Sequence, residues 1–450
     1  MFENFNNGVE TIKNIFRIPE LRKRVLFTLG IILAYRIGGH VPTPGVDPRV
    51  LADFMGQNAN SLFGLYDMFV GGAFKRVTVF ALGIMPYISA SIILQLMGSV
   101  FPYIHKLQRE GAEGRKKITQ YTRYGTVLLS VIQAVGISVF LQSIVSPTTG
   151  MHAVSPALVG FKFSFITVIS LTTGTLIIMW LGEQITNRGI GNGISLIIFI
   201  GIVARLPDAI FAEVQQLIAR TRHPFIEIIL LAVVISMTGF IVLMTQAMRR
   251  IPIQTPKKVV GTKMYAGQNT VLPLRLNMAG VIPIIFASSI ITFPGMIRSF
   301  FPADSELMES FMRLFSPTGW LYNIIFGLLI IFFTYFYTAI VFNPTDIADN
   351  LKRSGGFIPG IRPGKNTAQY LDNVLTRITL PGSVFLAFIS IVPFLIMSLF
   401  NVNFYFGGTS VLIVVGVALD TIVQLESHLQ MRNYEGFLKK GRLRGRRFGY

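Results

Sequence analysis

The stretch SLFGLYDMFVGGAFKRVTVFALGIMPYISASIILQLMGSVF, from Ser61 to Phe101, decides how the rest of the chain is read. Its second part, Val77 to Phe101, carries no charge in 25 residues, which is enough for a helix that crosses a bilayer. Its first part, Ser61 to Phe74, is apolar as well. As a helix, however, it would reach only about 21 Å, short of a hydrocarbon core of roughly 30 Å. Gly71-Gly72 and Lys75-Arg76 separate the two parts. The glycines favour a break, and the charges are excluded from lipid. Two readings of 61–74 fit these residues. It is either a half-helix turned back at membrane depth, tolerated only where protein or a watery cavity receives it, or an amphipathic helix lying in the interface.

Working outward, 52% of the 450 residues are hydrophobic and only 14% are charged, with a mean hydropathy of +0.59. That composition excludes a soluble domain and defines a polytopic membrane protein. The absence of cysteine removes disulfides, thiolate metal sites and cysteine nucleophiles. The first apolar run follows basic residues but precedes no small-residue cleavage site, so it reads as a retained span.

Ten spans are expected, at about 22–40, 77–101, 124–145, 163–182, 190–206, 225–247, 277–299, 320–342, 378–400 and 405–428. Residues 1–20 hold an interfacial amphipathic helix, with Phe2, Phe5, Val9, Ile12, Ile15 and Phe16 at helical spacing. The spans divide into a half at 21–206, containing the short segment 61–74, and a half at 207–429. The second half carries long loops at 248–276 and 343–377, and a basic tail occupies 430–450. Two halves of five spans have opposite orientation, as inverted-repeat folds require.

Of the 40 Lys and Arg, 30 fall at 13–24, 106–123, 188, 249–275, 352–377 and 432–447, all on one side of this topology. The positive-inside rule makes that side, and with it both termini, cytoplasmic. The net charge of +19 therefore reports topology. It also provides a basic face for anionic lipid, an acidic protein or ribosomal RNA.

Catalytic chemistry is missing. The five histidines (His40, His105, His152, His223 and His428) lie in loops or at span ends. Few span residues ionise: Arg36, Glu183, Glu227, Asp420 and Glu426. A coupled transporter needs such groups at mid-membrane, and an intramembrane protease needs a nucleophile with its base or a metal motif. No catalytic residue, cofactor or metal is expected, and no phosphate-cradling loop is present. Asp420 is the deepest carboxylate; pairing or reaching to the interface accounts for it. In the second long loop, GGFIPGIRPGKNT frames Arg362 with Pro359, Gly360, Pro363 and Gly364. It is either a solvated charged loop or a rigid binding tip.

FALGIMPYISASIILQL, LGEQITNRGIGNGISLIIF, NMAGVIPIIFASSII, FNPTDIADNLKRSGGFIPGIRPG and FYFGGTSVLIVV occur here in one order. Together they make the chain, from about residue 20 to 430, similar to the SecY family, the central subunit of the bacterial protein-conducting translocon. The resemblance implies an all-α fold of ten transmembrane helices in two inverted five-helix halves around an hourglass pore, in the bacterial inner membrane. It implies that 61–74 is a plug, with Ser61, Leu62, Phe63, Leu65, Tyr66, Met68, Phe69, Gly71 and Gly72 in it. A pore ring would be made by Ile84, Ile88, Ile194, Ile198, Ile285 and Ile413. The residues themselves say only that Ile84/Ile88 and Ile194/Ile198 share helix faces; isoleucine in a span otherwise packs or faces lipid.

The resemblance further implies a lateral gate between spans two and three and spans seven and eight, with Gln95, Gln133 and Asn277 at polar positions. Ordinary interhelical hydrogen bonds would account for those three as well. Arg362, Lys365, Lys352, Arg353, Lys257, Lys258 and Lys263 would meet the motor SecA or the ribosome. Thr262-Lys263 stands where relatives often carry two basic residues before Tyr-x-x-Gln, which weakens that contact. SecE and SecG are implied as membrane partners, and signal peptides, nascent chains and lipids as what the channel handles. A secondary transporter with inverted repeats is the competing reading.

Overall fold

The structure is a computed structural model that describes residues 18–57, 62–145, 150–155, 158–219, 224–255, 258–260, 263–265, 269–298, 316, 319–400 and 408–440. The expected interfacial helix at 1–20 therefore lies almost wholly outside the described residues, as does the tail beyond Lys440.

Helix α1, Pro19–Gly38, opens on a proline whose missing N–H costs nothing at a helix start. After α2, Pro48–Gln57, and α3, Leu62–Phe69, the chain turns through residues 70–84 before α4, Met85–Val100. Here the expected span from 77 is corrected: its helix starts eight residues later. Val77 and Gly83 both have positive φ, at 46° and 57°. The backbone around Val77 bonds sideways instead, Thr43 N donating to Val77 O at 2.8 Å and Val79 N to Val41 O at 2.9 Å. Hydrophobicity predicted burial correctly but could not distinguish a buried turn from a helix.

Helix α4 meets α5, Pro102–Arg109, at a bend of 107°. Helix α6, Ala112–Ser143, and α7, Phe161–Arg188, both overrun their expected spans and carry charged turns. Next come α8, Gly193–Val203, α9, Leu206–Ile218, and α10, Pro224–Gln246. Asn192 starts α8 by accepting from Ile194 N and Ser195 N at 3.1 and 3.3 Å. Within the expected loop 248–276 the described residues form two antiparallel strand pairs. In the outer one, β1, Met248–Gln254, pairs with β4, Asn269–Arg275; in the inner one, β2, Lys258–Val260, pairs with β3, Lys263–Tyr265. Alternating apolar residues Ile251 and Ile253 face inward on β1.

The chain continues through α11, Ile282–Ile291, α12, Phe293–Arg298, α13, Trp320–Val341, and α14, Pro344–Arg353. It ends with α15, Lys365–Phe400, and α16, Gly408–Lys440. Among the described residues, seven helices are long and apolar enough to cross a membrane. The shorter α1, α4 and α11 lie at the three other expected spans, which is consistent with ten.

The packing repeats. In the first half α1 touches α7 and α8, while α4 meets α6, α6 meets α7 and α7 meets α8. In the second half α10 touches α16 and reaches α15 through Phe240–Phe385 rings 5.3 Å apart. There α11 meets α13, α13 meets α15 and α15 meets α16. The halves join where α4 meets α11 and α8 meets α16. These are the second and fifth spans of each half meeting their own counterparts, as a two-fold between inverted halves requires. One large apolar cluster runs through this junction and includes α3. A smaller one, built on Ile251, Leu274, Phe342, Ile358 and Leu371, ties the β1–β4 hairpin to the 343–377 loop.

Candidate pore, plug and gate

Helix α3 is buried within the bundle. Phe63, Tyr66, Met68 and Phe69 are all at most 8% exposed, Leu65 is half-buried, and Gly71 and Gly72 are buried. Leu62 opens the helix, and Ser61 lies outside the described residues. An interfacial helix would bury one face only, so the half-helix reading of 61–74 holds. Phe63 stacks on Phe140 of α6 at 4.9 Å and on Phe74 at 6.1 Å. The Tyr66 hydroxyl donates to Leu82 O at 2.8 Å. The Ser410 hydroxyl of α16 lies 3.0 Å from Met68 Sδ, and α3 rests along α8.

Gly71 has φ +71°, and a Cβ there would stand 2.9 Å from Gly201 Cα on α8, a backbone atom that cannot swing away. Gly71→Ala is therefore expected to loosen α3, visible as slower disulfide formation between Met68→Cys and Ser410→Cys, whose side chains are 3.0 Å apart here. An unchanged crosslinking rate would show that the close approach is not needed.

The six isoleucines belong to one large apolar cluster. Ile84, Ile88, Ile198, Ile285 and Ile413 are each at most 5% exposed, and Ile194 packs on the same cluster. They come from four elements far apart in sequence: the start of α4, then α8, α11 and α16. None of the five buried ones faces lipid.

The three predicted polar gate residues are not brought together. Gln95 Nε2 donates to Ser91 Oγ on its own helix at 3.1 Å. Gln133 is buried in α6 with neither amide atom hydrogen-bonded. Asn277 donates to Gly280 O at 3.1 Å and lines a small cavity with Ile241, Thr245 and Phe385, on the α10/α15 side. The seam between α4 and α11 is instead spanned by Ser89 and Ser289, whose hydroxyls are 2.9 Å apart. Beside them an apolar cavity of about 400 Å³ is lined by Ile92, Ile93, Leu96, Ile290, Phe293 and Pro294. The sequence signal for this pair was present in SASI and ASSI, small hydroxyl residues in otherwise apolar spans.

A second pair escaped the sequence reading. Asp67, in the middle of α3, is 2% exposed, and its Oδ2 lies 3.1 Å from Arg205 Nη1. Glu183, noted in span four, pairs with Arg123 of α6 through two bonds of 2.7 and 3.0 Å. Asp420 lies half-buried and faces the Gly280 turn.

At the basic end, Lys352 and Arg353 close α14 and Lys365 opens α15; these and Arg362 are exposed. The tip is fixed by backbone. Gln254 and Phe357 exchange two bonds of 2.9 Å, and Arg362 O accepts from Thr367 Oγ1 at 3.0 Å. Gly355, Gly360 and Gly364 take positive φ at the turns. Lys258 and Lys263 lie on β2 and β3, whereas Lys257 lies outside the described residues.

Two inverted helical halves enclosing a seated half-helix define a channel-forming membrane protein. The SecY family model matches residues 78–422. The chain is 47% identical over 428 residues to protein translocase subunit SecY of Haemophilus influenzae, spanning 95% of this chain and 96% of the relative. It is 48% identical over 432 residues to that of Streptomyces coelicolor, spanning 94% and 98%. A solved structure described as that of a protein conducting channel shares the fold, with a TM-score of 0.64 at 18% identity over 90% of this chain and 92% of that one. A structure of Sec61 in a canine ribosome-channel complex matches at 0.61 and 17%, with the same coverage. The chain belongs to the SecY family and is a multi-pass membrane protein of a protein-translocation channel. The secondary-transporter reading is set aside.

Proposed function

We propose that this chain passes unfolded secretory polypeptides through the neck made by Ile84, Ile88, Ile194, Ile198, Ile285 and Ile413, and that α3 is the plug closing it. The observation that carries the reading is α3 seated against α6, α8 and α16 in the same apolar cluster as the six isoleucines. Exposed backbone amides cost several kcal/mol each in lipid, so an unfolded chain needs a watery path. A narrow apolar ring denies ions that path by dewetting. The α4/α11 seam, bridged by the Ser89–Ser289 hydroxyl pair beside an apolar cavity, is the side door. A segment sampling it gains roughly 0.3–0.6 kcal/mol per Leu or Ile and loses about 2.5–3.5 per Lys or Asp. Sorting is then partitioning, and no covalent bond is made or broken.

The basic end is the cytoplasmic face in a bacterial inner membrane, with both termini on that side. SecA and the ribosome dock there, ribosomal RNA included. The related ribosome-channel complex supports the ribosome as a partner, and the fixed tip at Arg362 offers a preorganised cation. SecE and SecG are the expected small membrane subunits. Arg362→Glu should cut SecA-driven export of a reporter into inverted vesicles by about tenfold, the equivalent of 1.4 kcal/mol of lost contact. Lys365→Glu should cost much less, because that side chain leaves from a helix start and not from the turn. Equal export by the wild type and Arg362→Glu, at equal channel content, would refute the docking role.

A further inference from the structure

Helix α3 reads LFGLYDMF, and its one charged residue is buried. Burying a carboxylate is costly unless it is paired and hydrogen-bonded. Asp67 is both. Oδ1 accepts from Lys75 N at 2.8 Å, within the same hairpin, and Oδ2 faces Arg205 Nη1 at 3.1 Å. Arg205 belongs to a different part of the bundle, the junction where α8 ends and α9 begins. Its side chain remains 25% exposed, against 3% for that of Asp67.

Resting on the reading of α3 as a mobile plug, we propose that Asp67 and Arg205 form the latch that fixes the plug in its seat. The rest of the seat is mainly apolar packing, with the close approach of Gly71 to Gly201, the Ser410–Met68 contact at 3.0 Å and the Tyr66 bond to Leu82 O at 2.8 Å, and no other ion pair joins α3 to the wall among the described residues. Apolar contact holds a helix in place but does not strongly define its register, because it is non-directional. A charge pair with one partner on the moving part and one on the wall has a single good geometry. It is also reversible. Arg205 already reaches water, so when α3 leaves, both charges can be hydrated and neither is stranded in a dry interior. The seat and the displaced position then differ by the pair's geometry, as a two-state element requires.

This makes a specific asymmetric prediction. Arg205→Gln leaves the buried carboxylate with only the Lys75 amide, so it penalises the seated state most. Asp67→Asn keeps the shape and removes the charge, so it loosens the seat less. Joining the two changes removes the stranded charge, so the double variant recovers most of the loss. Such non-additivity is the signature of a direct pair.

The test uses the complete translocon in planar bilayers and vesicles. Resting ion conductance is measured together with the rate of disulfide formation between Met68→Cys and Ser410→Cys, residues in contact only when α3 is seated. Arg205→Gln is expected to slow crosslinking and raise resting conductance by about tenfold, equivalent to 1.4 kcal/mol, with the double variant close to wild type. Unchanged values in Arg205→Gln, or a double variant worse than it, would overturn the latch. Should Arg205→Gln fail to accumulate, Asp67→Asn carries the comparison. Adding Arg205→Gln to it should cause no further loss, and an additive loss would overturn the pairing. The plug reading is judged separately: if the crosslinked channel with native Asp67 and Arg205 still exports, the plug itself is refuted, whatever the charge variants do.

Discussion

Replacing Ile84, Ile88, Ile194 and Ile413 together with serine is expected to turn the resting channel into an ion leak, while the same four positions changed to leucine stay nearly tight. In the proposed neck each isoleucine helps exclude water, and an ion entering it would have to shed its hydration shell. One serine adds a hydroxyl able to hold water, but five apolar neighbours remain. Four serines supply a continuous line of hydroxyls, so conductance should climb steeply with the number of replacements, not in proportion to it. Leucine has the same bulk and polarity as isoleucine and separates loss of apolarity from loss of shape. Burial of Ile84, Ile88, Ile198, Ile285 and Ile413 to 5% exposure or less removes the lipid-facing alternative for those five. Ordinary core packing remains as the competing role. It predicts that each buried serine costs about 1–3 kcal/mol, independently and without conductance. Single-channel recording on folded, complex-bound protein decides, and a serine quadruple as tight as the leucine quadruple would refute the seal.

The spans that carry the six proposed ring isoleucines were legible because hydrophobic runs specify spans. Their burial in one cluster was not, because it depends on the packing of α4 on α11 and of α8 on α16. The half-helix was legible in its length and its glycines, although 61–74 alone left an interfacial helix equally open; burial on all sides decided between them. The start of α4 at Met85 was hidden because Val77 takes φ 46°, which a β-branched residue avoids and which no periodicity signals. The hairpins in 248–276 were hidden for another reason. Basic and turn-forming residues mask the short alternation around Ile251 and Ile253, which only the partner strand completes. Asp67 was in plain view as the one charge in α3, yet its meaning depends on Arg205, more than a hundred residues later. Gln95, Gln133 and Asn277 show a different limit. Polar residues in spans are easy to see, but which of them face one another depends on helix rotation. Between α4 and α11 it is Ser89 and Ser289 that meet.

The same geometry makes a covalent test of plug motion feasible. A covalent tether between α3 and the pore wall should abolish export, and reducing the tether should restore it. The chain contains no cysteine, so any crosslink formed by two introduced cysteines is unambiguous. Tyr66 is a poor site, because its hydroxyl holds Leu82 O at 2.8 Å and truncation would leave a buried carbonyl without that donor, at about 1–3 kcal/mol. Met68 and Ser410 are better, since Sδ and Oγ already lie 3.0 Å apart and both side chains are lost at little hydrogen-bonding cost. Cysteine is shorter than methionine, so a short bis-maleimide serves where a direct disulfide does not meet the distance requirement of about 4.4–6.8 Å between Cα atoms. On the proposed path a chain in transit takes the volume α3 fills, packed against Phe140, Gly201 and Ser410. If that path is correct, holding α3 there blocks it, and export of a secreted reporter should fall to background in the crosslinked fraction. With the disulfide form, adding reductant to the same vesicles should return export to the level of the uncrosslinked double variant. Export that continues at the wild-type rate in fully crosslinked protein would refute displacement of α3 as a step in translocation. The path would then have to pass beside a stationary helix.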